Sequence, residues 1–278
     1  MIIKETFILK TEEQPDVFIF SFLCLETLFV NLQILRYYSL FPHIHIFIPD
    51  FDDTRKKFEE HKRYLDIKKL ATSINFIKLN TNNGNVNSAG LSESLRYYFS
   101  NMNFKNTIIT FQDVWLLDIF KFFGYYAKYL FLKKESIFYD TLINSGTYKA
   151  IGNDFMISNI SMKDKMINFP TDHPGNYEVS FLKLFLSTNY LRLTTDHNRQ
   201  NIIHQYGYSS VVGKAHVHTF EEKKHYIKLF ENFYNTKIEY DIDSIRKNES
   251  KPINTTEPWP QKYLAQSFDD NTAIFLPL

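Results

Sequence analysis

Cysteine, glycine and tryptophan are scarce in this chain of 278 residues, which has 1 Cys, 8 Gly and 2 Trp. Because Cys24 is the only cysteine, no disulfide can form within the chain, and a reducing, cytoplasmic environment is the simpler expectation. The few glycines argue against loops that wrap a phosphate in backbone amides alone. No Walker loop, Gly-x-Gly-x-x-Gly run or nucleophile elbow is present, so the sequence gives no support to those three kinds of site.

An excess of one charge is also absent, because 32 basic and 31 acidic residues leave a net charge of +1. No block of like charges accumulates, which argues against a nucleic-acid partner. The only candidate for a membrane span, residues 18–41, contains Glu26, Asn31 and Arg36, and such groups make spanning costly. The N-terminus lacks the features of a signal peptide. We therefore expect a soluble protein without a transmembrane segment.

Aromatic side chains, in contrast, are abundant, with 27 Phe and 18 Tyr. They would suit a surface on which sugars stack, or they fill the core of a chain with a coding bias towards Phe, Tyr, Ile, Asn and Lys. Core filling is the favoured interpretation, since most aromatic residues in proteins are buried. Aromatic residues left at the surface would support a homodimer or a peripheral membrane contact.

Apolar runs alternate with amphipathic ones along the first half of the chain. This order predicts an α/β fold with a mostly parallel sheet flanked by helices, because parallel strands need helical crossovers. We expect one domain over residues 1–244 and a C-terminal extension over residues 245–278 that packs on it. The predicted strands cover residues 17–24, 43–48, 74–79, 107–111, 148–157 and 190–194, and the predicted helices cover 25–40, 54–65, 91–99, 178–186 and 221–234.

Acidic residues follow two of these strands. Asp50 and Asp52 come directly after the run Ile44–Ile48, and Asp113 follows Thr107–Phe111. Open α/β sheets bind ligands beyond the carboxyl ends of their strands. We therefore expect Asp50 and Asp113 to lie at one edge of the sheet, around a nucleotide-sugar pocket.

The same residues carry a resemblance to family 2 glycosyltransferases of the GT-A fold. The segment from Pro49 to Thr54 resembles the acidic signature after that family's second strand, and Gln112-Asp113 stands where its Asp-x-Asp motif would fall. Other matching positions are Asn83 and Ser88 in the glycine-containing loop, Glu178 at the start of a helix, and His204 near a C-terminal metal-binding histidine. The resemblance covers roughly residues 15–210, and it departs from the family where Asp-x-Asp is reduced to Asp113 and where Val179 follows Glu178.

The resemblance implies an enzyme that transfers a sugar from a nucleotide-sugar donor to a hydroxyl of a glycan or glycolipid, with inversion. Asp113 and His204 would bind Mg²⁺ or Mn²⁺, and Glu178 or Asp172 would be the catalytic base. The remaining matching residues would bind the donor. These are Asp50, Asp52, Asn83, Ser88, Gln112 and Asp113.

Each of these residues also has a plainer interpretation. Asp50 is a candidate helix cap, and Glu178 a first-turn acid favoured by the helix dipole. His204 would then be an isolated hydrogen-bonded histidine. Two His-x-His pairs, His43/His45 and His216/His218, each form half of a zinc site on a strand. The second pair, with His225 nearby, is the better metal candidate but lacks a third ligand at a firm spacing.

Two other functions remain open on the sequence alone. One is a catalytically inactive GT-A-like protein that serves as a binding or scaffold subunit, which the missing acids would allow. The other is a different doubly wound enzyme, such as a nucleotide-dependent hydrolase or deacylase.

Overall fold

Strands and helices alternate along the first half of the chain, as the sequence predicts. The computed structural model describes residues 9, 13–51, 53–79, 86–104, 106–133, 136–139, 143–144, 149–150, 155–168, 190–194, 208–209, 212–247 and 272–274. The strands are β1 Asp16–Phe20, β2 Ile44–Asp50, β3 Ser73–Lys78, β4 Asn106–Phe111, β5 Val114–Leu116, β6 Ser136–Tyr139, β7 Ile143–Asn144, β8 Lys149–Ala150, β9 Phe155–Asn159, β10 Tyr190–Thr194, β11 Tyr208–Ser209, β12 Lys214–His216 and β13 Thr272–Ile274. The α-helices are α1 Leu25–Tyr38, α2 Thr54–Glu59, α3 Tyr64–Leu70, α4 Val86–Asn101, α5 Ile119–Leu132, α6 Lys163–Ile167, α7 Phe220–Tyr234 and α8 Ile242–Lys247.

Eight strands form the main sheet in the order β13-β10-β6-β9-β4-β1-β2-β3. All neighbouring pairs are parallel except those of β9, which runs antiparallel to β4 and β6. A small antiparallel sheet of β11, β12 and β5 and a hairpin of β7 and β8 complete the described strands. The mostly parallel sheet flanked by helices confirms the predicted fold class. The last strand of the main sheet, β13, lies in the predicted C-terminal extension and pairs with β10.

The central strand β1 is buried along its whole length. It lies between β2 and β4 and is parallel to both. Because such a strand is covered on both faces, its sequence is apolar nearly throughout. Aromatic rings fill the space beside it. Phe18 stacks on Phe47 with ring centroids 4.5 Å apart, and Tyr98 meets both rings edge-on. Among the described residues, the ten largest fully buried side chains are all aromatic, so many of the aromatic residues fill the core.

The helix predicted over residues 54–65 is divided in two, α2 and α3. Arg63, directly before α3, extends its guanidinium to the buried carboxylate of Glu26 on α1, with N–O distances of 3.0–3.2 Å, and to Glu239. Glu26 is fully buried, and a buried carboxylate needs such a partner. This long-range ion pair holds the break between the helices, which the local sequence does not indicate. Of the strand predicted over residues 148–157, residues 149–150 lie in β8 and residues 155–157 in β9, and the others lie outside the described residues.

A polar cluster lies at the amino ends of the central strands. His45 on β2 is in hydrogen-bond contact with Ser73 Oγ at 2.9 Å, and the rings of His43 and His45 are 6.2 Å apart. Burial and, to a smaller extent, the neighbouring His43 lower the pKa of His45 to about 4. Burial raises the pKa of Asp16 to about 6, although His43 opposes the rise. His43 and His45 thus pack at this edge and lie away from the carboxyl ends of the strands.

In the part of the chain that the structure describes, no helix combines the length and apolar character needed to cross a bilayer.

Two helical glycines predict opposite effects of the same substitution. A Cβ at Gly90 on α4 would lie 2.7 Å from Pro49 Cγ, whereas one at Gly124 on α5 meets nothing within 4 Å. We expect Gly90→Ala to lower the free energy of unfolding by about 1–3 kcal/mol through overpacking. Gly124→Ala should raise it by about 0.5–1 kcal/mol through helix propensity. Urea denaturation of both variants measures this, and a gain in stability from Gly90→Ala would contradict the close packing of α4 on β2.

The raised pKa of Asp16 predicts that replacing this residue changes the stability by an amount that depends on pH. Its folded pKa of about 6 lies above the usual value, so the folded state binds a proton more tightly than the unfolded chain. The stability that the folded protein gains from protonated Asp16 is fully present below about pH 4 and is lost as the pH rises through 6. The Asp16→Asn variant should therefore become more stable than the native chain as the pH rises from 4 to 7. The difference in the free energy of unfolding, measured by urea denaturation, should reach about 3 kcal/mol at most. The control is Asp243→Asn, at an exposed position. A difference between Asp16→Asn and the native chain that does not change with pH would refute the raised pKa of Asp16.

Candidate functional site

Asp50 and Asp113 lie at the same edge of the main sheet. Phe20 on β1 is level with Phe47 on β2 and with Phe111 on β4, and the three strands are parallel. Asp50 comes three residues after Phe47, and Asp113 two residues after Phe111. Because β2 and β4 are separated by β1 alone, their ends are about 10 Å apart. Both acids therefore lie at one edge of the sheet, as predicted, and the binding of a ligand there stays a prediction.

The turn between β4 and β5 carries Asp113, and the side chain of Asn31 on α1 forms hydrogen bonds to its backbone. Asn31 Nδ2 donates to the carbonyl oxygens of Phe111, Gln112 and Val114 at 3.1–3.2 Å. Asn31 is fully buried, and its Oδ1 has no hydrogen-bond partner among the described residues. The two N–H groups of a single amide are thus shared among three carbonyl groups around Asp113, which fixes the direction of the turn.

The side chain of Gln112 takes part in the same support. Gln112 is buried, its Oε1 accepts a hydrogen bond from Ser21 Oγ at 2.7 Å, and its backbone N–H donates to the carbonyl of Phe20 at 3.1 Å. Tyr38 Oη donates to the carbonyl of Leu116 at 2.8 Å, which holds the far end of β5. In this structure the Gln112 amide is therefore used within the protein to join β4 to the end of β1.

Strand β12 brings two histidines to this turn. It pairs antiparallel with β5 so that His216 is opposite Val114, and the backbone N–H of Val217 donates to the carbonyl of Asp113 at 2.8 Å. The strand follows a turn at Gly213, which has a φ of 75°. The carbonyl of Gly213 accepts from the backbone N–H groups of Leu117 and Asp118 at 2.8 and 2.9 Å. A Cβ at Gly213 would collide with Asp118, so only glycine suits this turn.

Asp113, His216 and His218 form one cluster. Asp113 Oδ2 lies 3.4 Å from His216 Nε2 and 3.8 Å from His218 Nδ1, and the ligand atoms of all three residues lie within 4.8 Å of one another. Metal–ligand distances of about 2.0–2.2 Å put neighbouring ligand atoms roughly 3.0–3.5 Å apart. The spacing and the donor set of one carboxylate and two imidazoles therefore fit a divalent metal ion, which would need only a small closure of the cluster.

The charges of the cluster also suit a metal. Burial would raise the pKa of Asp113, but the nearby His216 and His218 outweigh it and the pKa is lowered. Burial lowers the pKa of His218 and His216 lowers it further, although Asp113 and Glu222 oppose the shift. An ionised carboxylate and a neutral imidazole are the forms that coordinate metals.

Helix α7 begins beside the cluster and fixes His218. The carboxylate of Glu222 accepts from the backbone N–H groups of His218 and Thr219 at 2.8 and 2.9 Å, and the Thr219 hydroxyl accepts from Glu222 N in return. This capping box starts the helix directly after His218. The next residue, Lys223, is buried, and its charge lowers the pKa of both His218 and Cys24. A cationic group thus lies close behind the cluster.

The other predicted site residues are distributed as follows. Asp50 is half-buried and pairs with Arg55 at 3.6 Å. It does not cap α2, because the N-cap position belongs to Asp53. Ser88 belongs to the first turn of α4, and its side chain lies outside the described residues. Asp52, Asn83, Asp172, Glu178 and His204 also lie outside the described residues, so their roles stay predictions.

The sequence points to His216 and His218 as a pair but gives no third ligand. The third member of the cluster is Asp113, about a hundred positions earlier in the chain, and the pairing of β12 with β5 brings it close. His225 lies on α7 with its ring 5.0 Å from that of Tyr226, and it does not belong to the cluster. The signal that the sequence contains is the His-x-His spacing at the end of a short strand.

Solved structures with a similar course of the chain include nucleotide-dependent transferases. A mannosyltransferase from Pyrobaculum calidifontis, solved with GDP-Man and Mn²⁺, is 8% identical over 68% of this chain and 58% of its own, with a TM-score of 0.43. A cytidylyltransferase from Leptospira borgpetersenii is 12% identical over 66% and 77%, with a TM-score of 0.43. The galactosyltransferase LgtC, solved with donor and acceptor sugar analogues, is 9% identical over 64% and 73%, with a TM-score of 0.38.

Glycosyltransferases are among these matched structures. No protein-family model matches the sequence, and no curated protein matches it at a significant level.

Replacing Asn31 with aspartate tests the support of the turn. The change keeps the size of the side chain but removes the N–H groups that three carbonyls use, and it buries a carboxylate beside those carbonyls. We expect the free energy of unfolding to fall by about 2–4 kcal/mol. Asn101→Asp on the exposed end of α4 is the control and should change it by less than about 0.5 kcal/mol. Equal effects of the two substitutions in urea denaturation would show that Asn31 does not hold the turn.

Proposed function

We propose that this protein is a metal-dependent glycosyltransferase that transfers a sugar from a nucleotide-sugar donor to a hydroxyl of a glycan or glycolipid. One observation carries the proposal: Asp113, His216 and His218 converge on a metal-sized cluster at the carboxyl edge of the sheet. Asp50 lies at the same edge, where α/β proteins bind nucleotides. The resemblance of residues 15–210 to family 2 glycosyltransferases adds the substrate class.

The donor set favours Mn²⁺ over Mg²⁺. Mg²⁺ binds oxygen ligands almost exclusively, whereas two of the three groups in the cluster are imidazoles, which suit transition metals. A cation bound by Asp113, His216 and His218 would neutralise the charge that develops on the departing diphosphate. Zn²⁺ also suits this set. His204, predicted from the resemblance, would be a further ligand.

The residues of the chain divide the remaining work. Asp50 would hold the nucleoside, and Asp52, Asn83 and Ser88 would line the rest of the donor site. Gln112, predicted to bind the donor as well, is buried with its amide bonded to Ser21 and would instead support the turn that carries Asp113. Lys223, buried beside the cluster, supports the proposal as a fixed positive charge near the diphosphate. Glu178 or Asp172 would take the proton of the acceptor hydroxyl, an effect worth roughly 10²–10⁴-fold in rate. A single base opposite the donor implies direct displacement with inversion at the anomeric carbon.

Metal binding provides the first test. Titration with Mn²⁺, followed by the loss of its free-ion EPR signal, should give saturable binding to the native chain. Asp113→Asn and His216→Gln should each weaken this binding by more than about tenfold, since even groups that only orient a ligand are worth 10–100-fold. His225→Gln, a histidine outside the cluster, is the matched control and should bind as the native chain does. Equal binding by His216→Gln and His225→Gln would remove the cluster from the proposal.

Donor binding and turnover provide the second test. A UDP-, GDP- or dTDP-sugar at 100 times its Kd should stabilise the native chain by about 2.7 kcal/mol in the presence of Mn²⁺. Glu178→Gln should keep this stabilisation while release of nucleoside diphosphate collapses, because only the proton acceptor is lost. Stabilisation by a donor without any turnover would favour the inactive binding protein. No stabilisation by any nucleotide sugar would refute the proposed function.

A further inference from the structure

The first turn of α1 contains hydrogen-bond donors without partners. The helix has 14 residues and begins at Leu25, shortly after the carboxyl end of β1, at the same edge of the sheet as Asp113. The backbone N–H groups of Leu25, Glu26 and Thr27 have no hydrogen-bond partner in the described part of the chain. Cys24 occupies the N-cap position, and its side chain does not cap the helix. The positive end of the helix dipole therefore carries three donors that remain to be satisfied.

A buried hydroxyl joins these donors. Leu25, Glu26 and Thr27 are all buried, and buried backbone N–H groups in proteins almost always have a partner. The side chain of Thr27 is 1% exposed, and its Oγ1 has no partner among the described residues either. Because the Cα–Cβ bonds of a helix tilt towards its N-terminus, this hydroxyl is directed towards the same place as the N–H groups. Three backbone donors and one hydroxyl thus converge at the start of α1.

The start of α1 lies beside the candidate metal cluster. At 100° per residue, Cys24, Thr27 and Asn31 fall within about 60° of one another on the helix surface. Asn31 binds the turn that carries Asp113. Burial raises the pKa of the Cys24 thiol, and the nearby charges of Lys223 and Asp113 shift it in opposite directions. The converging donors are therefore close both to the cluster and to a buried lysine.

The negative charges near this position are compensated. Glu26 lies in the first turn, but Arg63 binds its carboxylate with N–O distances of 3.0–3.2 Å. Glu26 also projects about 100° away from Thr27 around the helix axis. The carboxylate of Asp113 belongs to the cluster, where a divalent ion would neutralise it. An anion at the start of α1 is therefore opposed by Asp113 alone, and only while the cluster holds no metal.

We propose that the start of α1 binds a phosphate group through the N–H groups of Leu25, Glu26 and Thr27 and through the Thr27 hydroxyl. A tetrahedral oxyanion accepts several hydrogen bonds at once, and its charge suits the positive end of the helix dipole. Leu23 and Cys24, directly before the helix, are partly exposed and give the group access from solvent.

The phosphate site and the metal cluster suit two parts of one ligand. If the proposed function is right, on which this step rests, the phosphate belongs to the diphosphate of the sugar donor. Its two phosphates would then be shared between the cluster and the start of α1. The helix dipole would stabilise the charge that the diphosphate gains as it leaves, in addition to the cation.

Calorimetric titration without metal tests the phosphate site apart from the proposed function. Inorganic pyrophosphate should bind the metal-free native chain saturably. Thr27→Val removes the hydroxyl and keeps the shape of the side chain, and it should weaken this binding by about tenfold, because hydrogen bonds to charged groups are among the stronger ones. Its thermal unfolding should not shift downward, since the hydroxyl that is lost has no partner within the described residues.

The matched control is Thr236→Val, just beyond the opposite end of α7, which should bind pyrophosphate as the native chain does. Absence of saturable binding, or equal binding by Thr27→Val and Thr236→Val, would overturn the proposal.

A charge at the N-cap provides a second variant. Cys24→Asp places a carboxylate where the phosphate would lie, and this charge suits the helix dipole, so the fold should be kept. It should weaken pyrophosphate binding by about tenfold relative to Cys24→Asn, which has the same shape without the charge. Thermal unfolding of both variants checks the fold. Equal pyrophosphate binding by the two would show that no anion binds at the start of α1.

A comparison of ligands identifies the source of the phosphate. UDP that binds more tightly than pyrophosphate, with the same loss in Thr27→Val, would identify the diphosphate of a nucleotide. Pyrophosphate that binds while UDP does not would identify a small anion, and it would support the site but refute its link to the sugar donor. If Mn²⁺ and nucleotide sugars fail to bind while Thr27→Val still weakens pyrophosphate binding, the proposed function fails and the phosphate site stands.

Discussion

The side-chain amide of Asn31 is the contact on which the candidate site depends. It lies inside the protein and donates to three carbonyl groups of the turn that carries Asp113. A turn in this position has to leave the main sheet and enter a second, antiparallel sheet, and its carbonyls would otherwise be buried without partners. Because Val217 then pairs with the carbonyl of Asp113, the direction of the turn also sets where His216 and His218 lie. Displacing the turn would therefore disperse all three groups of the cluster.

Helix α1 holds two regions of the protein through buried polar side chains. Asn31 supports the turn after β4, while Glu26 binds Arg63 and accepts from the backbone N–H of Asp241 at 2.6 Å. The segment before α8 and the break between α2 and α3 are thus joined through one carboxylate. Buried ion pairs are costly to form, and their removal is more costly still because the surviving charge loses its partner. The apolar side chains of α1 account for its burial, but Glu26 and Asn31 determine which neighbours pack against it.

The sequence predicts the first half of the fold well because the signals there are local. Apolar runs and amphipathic helices alternate from β1 to β4, and parallel pairing follows from that order. The break near Arg63 is not predicted, since it depends on Glu26, 37 positions away. The composition of the cluster is not predicted either, because the register of β5 on β12 joins Asp113 to histidines far along the chain. Both failures have the same cause, which is that a long-range contact decides the local structure.

The composition of the cluster has a consequence for how a metal and a donor would bind. The family that this chain resembles has Asp-x-Asp where Gln112 and Asp113 stand, and the Gln112 amide is committed to Ser21. With one carboxylate and two neutral imidazoles, a divalent ion would keep about one unit of positive charge. Such an ion attracts the diphosphate of a donor more strongly than one neutralised by two carboxylates, and it is itself held less tightly by the protein. Metal and donor would then each strengthen the binding of the other, because linkage between two ligands is reciprocal.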